Sequence, residues 1–267
     1  MELGLDDRAC LVTGSTGGIG LAVAVRLALA GAQVAVCGRD PVRLARALEA
    51  VETAGAPDAI AIEVDLSDPE GPGSAVQQAA ARFGGLDVLV NNVGDARLGR
   101  WDELPDEAWD ASWNLNVMSY VRASRAALPH LKESDQARIV NVASTSGKRP
   151  SIGMPDYSVT KAAVLSLSRL LADSHAADGI LVNAICPGPS LTPAWLADGG
   201  LADQRVATGA VPDRESALVQ AGKGRPIGRM AEPGEIADVI AFLCSERASY
   251  VTGAAWSVDG GTVPVII

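Results

Sequence analysis

Short, almost wholly apolar runs punctuate this chain, and each is followed by a longer stretch in which apolar residues recur at helical spacing. The runs lie at residues 9–12, 33–37, 59–64, 86–90 and 138–142, with a sixth ending at Pro187 and a last one at 255–258. Helical patterning is expected between them: over 21–30, 41–54, the segment from 66 to 86, 105–128, and from about Glu232 through Leu243. Runs apolar at consecutive positions suit strands buried on both faces, and strands separated by helices pair in parallel through right-handed crossovers. The expected class is therefore α/β, a parallel sheet with helices on both faces. The strand ends then share one ligand-binding edge.

Residues with chemistry stand at that edge. The first run leads into Thr13-Gly14-Ser15-Thr16-Gly17-Gly18-Ile19-Gly20 and then a helix that Gly31 is placed to stop. A glycine turn between strand and helix lets a pyrophosphate approach the backbone and meet the free N–H groups and positive dipole end of the helix. The second run ends at Gly38-Arg39-Asp40, about where such a fold contacts a ribose. Arg39 would pair with a 2'-phosphate that a carboxylate would repel, which favours NADP(H). Asp40 before Pro41 reads as a helix N-cap.

The next runs end at Asp65-Leu66, at Asn91-Asn92-Val93-Gly94 and at Ala143-Ser144. Thirteen residues beyond Ser144 comes Tyr157-Ser158-Val159-Thr160-Lys161. Four residues apart on a helix, a phenol and an ammonium share one face, and the cation favours the phenolate. Such a pair suits proton transfer to or from an oxygen.

Composition narrows the partner. A chain of 267 residues, 48% hydrophobic, can bury a large core, and a net charge of -10 spread along it disfavours nucleic acid or an anionic membrane. A small molecule is expected instead. No apolar run has the length of a membrane span, and the first residues lack the pattern of a signal peptide, so a cytoplasmic location is expected. Cys10, Cys37, Cys186 and Cys244 have no metal-ligand spacing and read as buried thiols. His130 and His175 fall late in expected helices, as caps or solvated residues, which disfavours serine hydrolase chemistry. No metal is expected.

With these motifs in this order, the chain resembles a classical short-chain dehydrogenase/reductase over essentially its whole length, in layout similar to the 3-oxoacyl-carrier-protein reductases. The resemblance is carried by Thr13-Gly14 with Gly18-Ile19-Gly20, Asp65-Leu66, Asn91-Asn92-Val93-Gly94, Asn116, Ser144, Tyr157 with Lys161, Pro187-Gly188, and Val258-Asp259-Gly260-Gly261. It implies a single-domain Rossmann-type fold over residues 1–267, doubly wound on a seven-stranded parallel sheet. It implies Tyr157 as general acid/base, Lys161 lowering its pKa while bonding the nicotinamide ribose, Ser144 orienting the substrate oxygen, and Asn116 supporting a water-linked proton path. The cofactor would meet Gly14, Ser15, Gly18, Ile19, Gly20, Arg39, Asp65, Leu66, Asn91, Gly94, Pro187, Gly188 and Thr192, besides Tyr157 and Lys161.

Departures from the family pattern bear on the cofactor. Val93 replaces the usual alanine, and Gly17 stands where many NADP-dependent members carry a basic residue. Cofactor preference then rests on Arg39, helped by the Ser15 hydroxyl, and on the lack of an acid at Gly38, where NAD-dependent members would carry one. A NAD-dependent dehydrogenase of a hydroxy substrate and a non-catalytic dinucleotide-sensing protein remain as alternatives.

Residues 191–225 are expected to form a substrate lid. Leu191, Trp195, Leu196 and Leu201, with Met154, would make an apolar wall for a neutral or apolar ketone. Arg97, Arg100 and Lys148 are the candidates for a substrate carboxylate. The resemblance further implies a homotetramer, or a homodimer, built on the last helix and strand, and the tail Val263-Pro264-Val265-Ile266-Ile267 is apolar enough to favour association.

Overall fold

Cys10 and Val12 point to one side of the first strand and Leu11 to the other, and all three are fully buried, so that strand needs cover on both faces. The computed structural model, which describes residues 2–264, supplies it. Strands β1 (Ala9–Val12), β2 (Gln33–Gly38), β3 (Ala59–Glu63), β4 (Val88–Asn91), β5 (Arg138–Val142), β6 (Leu181–Pro187) and β7 (Ala255–Val258) form one seven-stranded sheet in the order β3-β2-β1-β4-β5-β6-β7. Every neighbouring pair is parallel. This is the expected doubly wound, Rossmann-type sheet. The order turns back at β1 and β4, and crossovers leaving to opposite sides open a crevice there.

The connecting helices follow their local signals. Helix α1 (Gly18–Leu29) begins inside the glycine turn, and Gly31, at φ 85°, lets the chain leave it. Asp40 caps α2 (Pro41–Thr53), its carboxylate accepting from the N–H groups of Val42 and Arg43 at 2.9 and 3.0 Å. Helix α3 (Gly71–Phe83) starts two residues from Gly73 and ends on left-handed Gly84. The stretch 105–128 is not one continuous helix. It divides into α4 (Asp106–Trp113), a π-helical turn over Asn114–Met118, and α5 (Ser119–Leu131). Side-chain periodicity barely registers one extra backbone residue per turn, so the sequence pattern ran through it.

Ser144 caps the short α6 (Thr145–Lys148), and α7 (Pro155–His175) is the longest helix among the described residues. The excursion after β6 holds α8 (Pro193–Leu196), α9 (Leu201–Ala207) and α10 (Arg214–Lys223). A capping box of Glu232 and Glu235 starts α11 (Pro233–Cys244). Val23 and Leu27 of α1, Leu44 and Val51 of α2, and Ile236 and Ile240 of α11 fill one face of the sheet. Val76 and Ala79 of α3, Ala123 and Leu131 of α5, and Ala172 of α7 fill the other. The end of the apolar tail, Val265 to Ile267, lies outside the described residues.

Candidate active site

A cleft of about 2000 Å³ opens at the carboxyl ends of the strands, and the turn after β1 makes its wall. Gly14 and Gly18 take left-handed φ values of 63° and 56°. Gly20 is required for contact rather than conformation: a Cβ there would stand 2.4 Å from Nδ2 of Asn92 and 2.6 Å from the Gly14 carbonyl. Asn92 in turn donates to the carbonyls of Thr13 and Gly14 at 2.9 and 3.1 Å, tying the turn to the end of β4. Gly18, Ile19 and Gly20, the first turn of α1, line the cleft, and a Cβ on Gly18 would lie 3.2 Å from Thr192. The free N–H groups of that helix end are therefore placed where a phosphate would be held.

Beyond β2, Arg39 reaches the Asp65 carboxylate at 3.7 Å and is otherwise largely in solvent. Hydrogen bonds from Ser67, and then the Arg39 charge, hold the Asp65 carboxyl below its ordinary pKa. A Cβ on Gly17 would sit 3.0 Å from Nη2 of Arg43, which places a second guanidinium beside the glycine turn. Arg43 went unnoticed in the sequence, where it is simply a residue in the first turn of α2. A Cβ on Gly38 would come 2.5 Å from Cγ2 of Thr16, so an acidic side chain at 38 could enter only if Thr16 moved.

The hydroxyl and amine groups are assembled by β5, α6 and α7. A Cβ on Gly147 would be 2.7 Å from the backbone of Lys161, so the turn carrying Ser144 lies directly against α7, with Tyr157 in its first turn and Lys161 in its second. Lys161 is 2% exposed. Its Nζ donates to the Val142 carbonyl at 2.8 Å and to the Tyr120 hydroxyl at 3.3 Å, and stands 5.7 Å from the centroid of the Tyr157 ring. Buried Tyr120, which donates to the same Val142 carbonyl at 3.0 Å, is a neighbour that sequence separation concealed.

Desolvation pulls the Lys161 pKa down to about 7. Burial pushes the Tyr157 phenol above its ordinary value, opposed by the Ser144 hydroxyl and reinforced by the Asp95 charge. Lys161, expected to lower it, is not among the groups that shift Tyr157 in this chain alone; its Nζ is bonded to Val142 and Tyr120. Asn116 sits at the centre of the π-helical turn, fully buried. Its Oδ1 accepts from the Asp95 N–H at 3.0 Å, and its Nδ2 reaches the Asp95 carbonyl at 3.1 Å and Thr160 at 3.3 Å.

Leu66, Gly94, Met154, Pro187, Gly188, Thr192, Trp195 and Leu201 also line the cleft. Three expectations need correction. Asn91 faces away from it, with Nδ2 bonded to Ser124 and Asn141 inside the core; the cleft wall belongs to Asn92, because successive strand residues point to opposite faces. Ser15 is fully buried, donating to the Val12 carbonyl at 2.7 Å and accepting from the Cys37 N–H at 2.9 Å, and Thr16 lines the cleft in its place. Leu191 and Leu196 lie outside the lining, Leu191 because its N–H is drawn to Ala231 at the base of the excursion.

The three cations proposed for a carboxylate are engaged elsewhere. Arg97 pairs with Asp95, Arg100 pairs with Asp102 and Glu103, and Lys148 donates to Ala255 and Ser257 of β7. His175 pairs with Asp178 on the surface, the four cysteines are buried and free, and the described residues hold no metal-binding cluster.

Known proteins with this layout catalyse redox reactions. A family model described as enoyl-(acyl carrier protein) reductase matches residues 14–263. The chain is 35% identical over 262 residues to the D-beta-hydroxybutyrate dehydrogenase of Cupriavidus necator, covering 97% of this chain and 99% of that one. It is 38% identical over 264 residues to the cis-4-hydroxycyclohexanecarboxylate dehydrogenase of Sinomonas cyclohexanicum, covering 97% and 98%. The crystal structure of L-sorbose reductase from Gluconobacter frateurii, complexed with NADPH and L-sorbose, superposes with a TM-score of 0.92 at 36% identity over the whole of both chains.

Proposed function

The chain belongs to the short-chain dehydrogenase/reductase family and is an NAD(P)-dependent oxidoreductase of hydroxy or keto groups; from that premise we propose that it is an NADP(H)-dependent ketoreductase with Tyr157 as its general acid. One observation carries the reading: Ser144, Tyr157 and Lys161 converge beneath a cleft whose other end is a glycine turn between strand and helix.

The residues present fit a dinucleotide. Glycines stand where any Cβ would fill the cradle, at Gly18 against Thr192 and at Gly94, where it would meet Asn116 Oδ1 at 3.1 Å and Lys161 Nζ at 3.3 Å. Gly14, Ile19 and Gly20 would receive the pyrophosphate, Asp65 and Leu66 the adenine, and Gly94, Pro187, Gly188 and Thr192 the nicotinamide half. Arg39, with Arg43 beside it, would hold the 2'-phosphate, which supports NADP(H) over NAD(H). The bound cofactor supplies the hydride.

The chain supplies everything else. Ser144 fixes the carbonyl oxygen, and Tyr157 donates the proton that the developing alkoxide requires. Because burial raises the Tyr157 pKa, the phenol carries its proton at neutral pH, which suits reduction. Asn116, buried and bonded toward Asp95 and Thr160, continues a polar path behind Lys161. The excursion 191–225 serves as a lid that excludes water, with Met154, Trp195 and Leu201 against the substrate.

The three relatives named above act, by name, on two hydroxy acids and a sugar, each of which carries a secondary alcohol or a ketone. A homotetramer is proposed, supported by the open outer edge of β7 and by Leu170 and Tyr250, 62% and 102% exposed. The cytoplasm is the proposed location, supported by four unpaired cysteines and the need for a reduced dinucleotide pool.

Initial rates of NADPH and NADH oxidation over a panel of ketones and 3-oxoacyl thioesters test the reading. Turnover with NADPH that disappears in Tyr157→Phe is expected. Full turnover in that variant would remove Tyr157 as the acid, whereas binding of either cofactor with every ketone silent would leave a dinucleotide sensor instead.

A further inference from the structure

Besides Arg39, Arg43 and Arg97, three further arginines line the same cleft as Ser144 and Tyr157: Arg149 from the loop after α6, Arg205 from α9, and Arg225 just beyond α10. They come from separate segments, so no local sequence pattern announces them. Among the described residues none of the three forms an ion pair, whereas Arg214 and Arg229 nearby are each matched to carboxylates. Arg205 is held by the Gln220 side chain, and Arg225 makes only a 3.4 Å bond to the carbonyl of Gly224. The Nε atoms of Arg205 and Arg225 are sealed from water with no hydrogen-bond partner.

Three cations without acidic partners are unusual in a chain whose carboxylates outnumber its basic groups and leave a net charge of -10. Arg205 and Arg225 are half-buried and Arg149 is exposed; arginine does not escape by losing its proton, so the two half-buried guanidiniums keep their charge and their unmet Nε donors. Burial depresses the basicity of Arg225 first, and the charges of Arg149 and Arg205 depress it further. The carboxylate that opposes this shift is Asp259, whose two oxygens already accept from the N–H groups of Gly261 and Val263 at 2.9 Å each. Four acids line the cleft itself: Asp40 and Asp65 at its β2–β3 end, Asp95, paired with Arg97, and Asp156 in the first turn of α7.

We infer that Arg149, Arg205 and Arg225 receive an oxyanion group of the substrate, so that the molecule reduced at Tyr157 is an acid, a ketone carrying a carboxylate or similar anion away from its carbonyl. The forked donors of arginine match a carboxylate in two parallel bonds. Met154, Trp195 and Leu201 on the same lining cover the apolar chain between the two ends. This replaces the neutral ketone expected from sequence, and it rests on the ketoreductase reading for the reacting end only. With Arg205 and Arg225 both in the excursion after β6, closing that segment brings the charges onto the substrate.

The test compares levulinate with methyl levulinate, which share a ketone and differ in charge, in the wild type, Arg205→Gln, Arg225→Gln and the charge-preserving Arg225→Lys. The wild type is expected to favour the acid in kcat/KM, and each glutamine variant to cut the acid-to-ester ratio by about tenfold to a hundredfold, the effect of losing a charged hydrogen bond. Arg225→Lys should restore part of the ratio. NADPH binding followed by fluorescence identifies any variant that has merely failed to fold.

Levulinate binding followed by thermal shift separates this inference from the ketoreductase reading. Stabilisation by levulinate that is lost in the Arg205→Gln, Arg225→Gln double variant, with no turnover of levulinate or of any ketone or thioester in the panel, supports the anion site and sinks the reductase. Equal use of acid and ester by the wild type, an unchanged ratio in the glutamine variants, or no levulinate binding at all overturns the anion site.

Discussion

Replacing Lys161 by methionine should make the protein more stable and inactive at once, and the gain should vanish in alkali. Lys161 is 2% exposed and its pKa falls from 10.5 to about 7, so the folded protein binds its ammonium less willingly than the unfolded chain does. A folded pKa below the unfolded one means that stability is withheld at low pH and recovered as the pH rises from about 7 towards 10.5. At about 1.4 kcal/mol per pH unit, the cost is ~5 kcal/mol at pH 6, ~4 at pH 7 and ~2 at pH 9.

Methionine removes that cost and also removes the bonds to Val142 and Tyr120, worth ~1 kcal/mol each. The net gain is then ~3 kcal/mol at pH 6, ~2 at pH 7 and near zero at pH 9. Urea unfolding of both proteins without cofactor, followed by far-UV circular dichroism at those three pH values and one protein concentration, reads the difference directly. A stability difference that does not change with pH, or a methionine variant weaker than wild type at pH 6, would refute the desolvation argument.

Other substitutions probe the rest of the cleft. Arg39→Ala should lower the preference for NADPH over NADH by about tenfold or more in kcat/KM, through loss of a charged contact to the 2'-phosphate; an unchanged ratio shifts the discrimination to Arg43. Gly94→Ala should preserve the melting temperature within a few degrees yet cut turnover by about tenfold, because its methyl would press on both Asn116 and Lys161, at 3.1 and 3.3 Å. Gly20→Ala should destabilise by about 1–3 kcal/mol in urea unfolding, since its methyl overlaps the Asn92 amide and the Gly14 carbonyl.

The sheet was legible because inner strands such as β1, β2 and β4 are buried on both faces and so appear as nearly uninterrupted apolar runs. Helix starts were legible where a side chain caps them, as Asp40 does for α2. What the chain kept hidden depends on direction and on distance along the sequence. Asn91 and Asn92 are adjacent and chemically identical, and only the pleat of β4 decides that the second meets the cleft. Ser15 and Thr16 divide in the same way at the turn. Tyr120 meets Lys161 across 41 residues, and Arg149 faces Arg225 across α7, β6 and the excursion; neither spacing is a motif. The π-helical turn at Asn116 escaped because it changes backbone bonding while leaving the apolar stripe almost intact.

The excursion after β6 leaves and rejoins the body at neighbouring residues, and beyond them it touches the body through the Leu98 N–H to Gln204 Oε1 at 2.8 Å and the Ile227 N–H to the Gly260 carbonyl at 3.2 Å. Ser190 bridges Ala231, the Leu191 N–H reaches the Ala231 carbonyl at 2.9 Å, and the Ala231 N–H reaches the Pro189 carbonyl at 3.0 Å. Between those bonds the segment packs on itself, with Trp195 and Leu218 around Ala202, Val211 and Ala217. Its neck is therefore only one residue pair wide. The entropic cost of closing a loop grows only with the logarithm of its length, so forty residues or twenty can hang from the same neck with little effect on the sheet beneath. In heredity this amounts to a socket: the hydride chemistry stays with β5 and α7, and an exchanged segment lacking Arg205 and Arg225 would give the same catalyst a different diet.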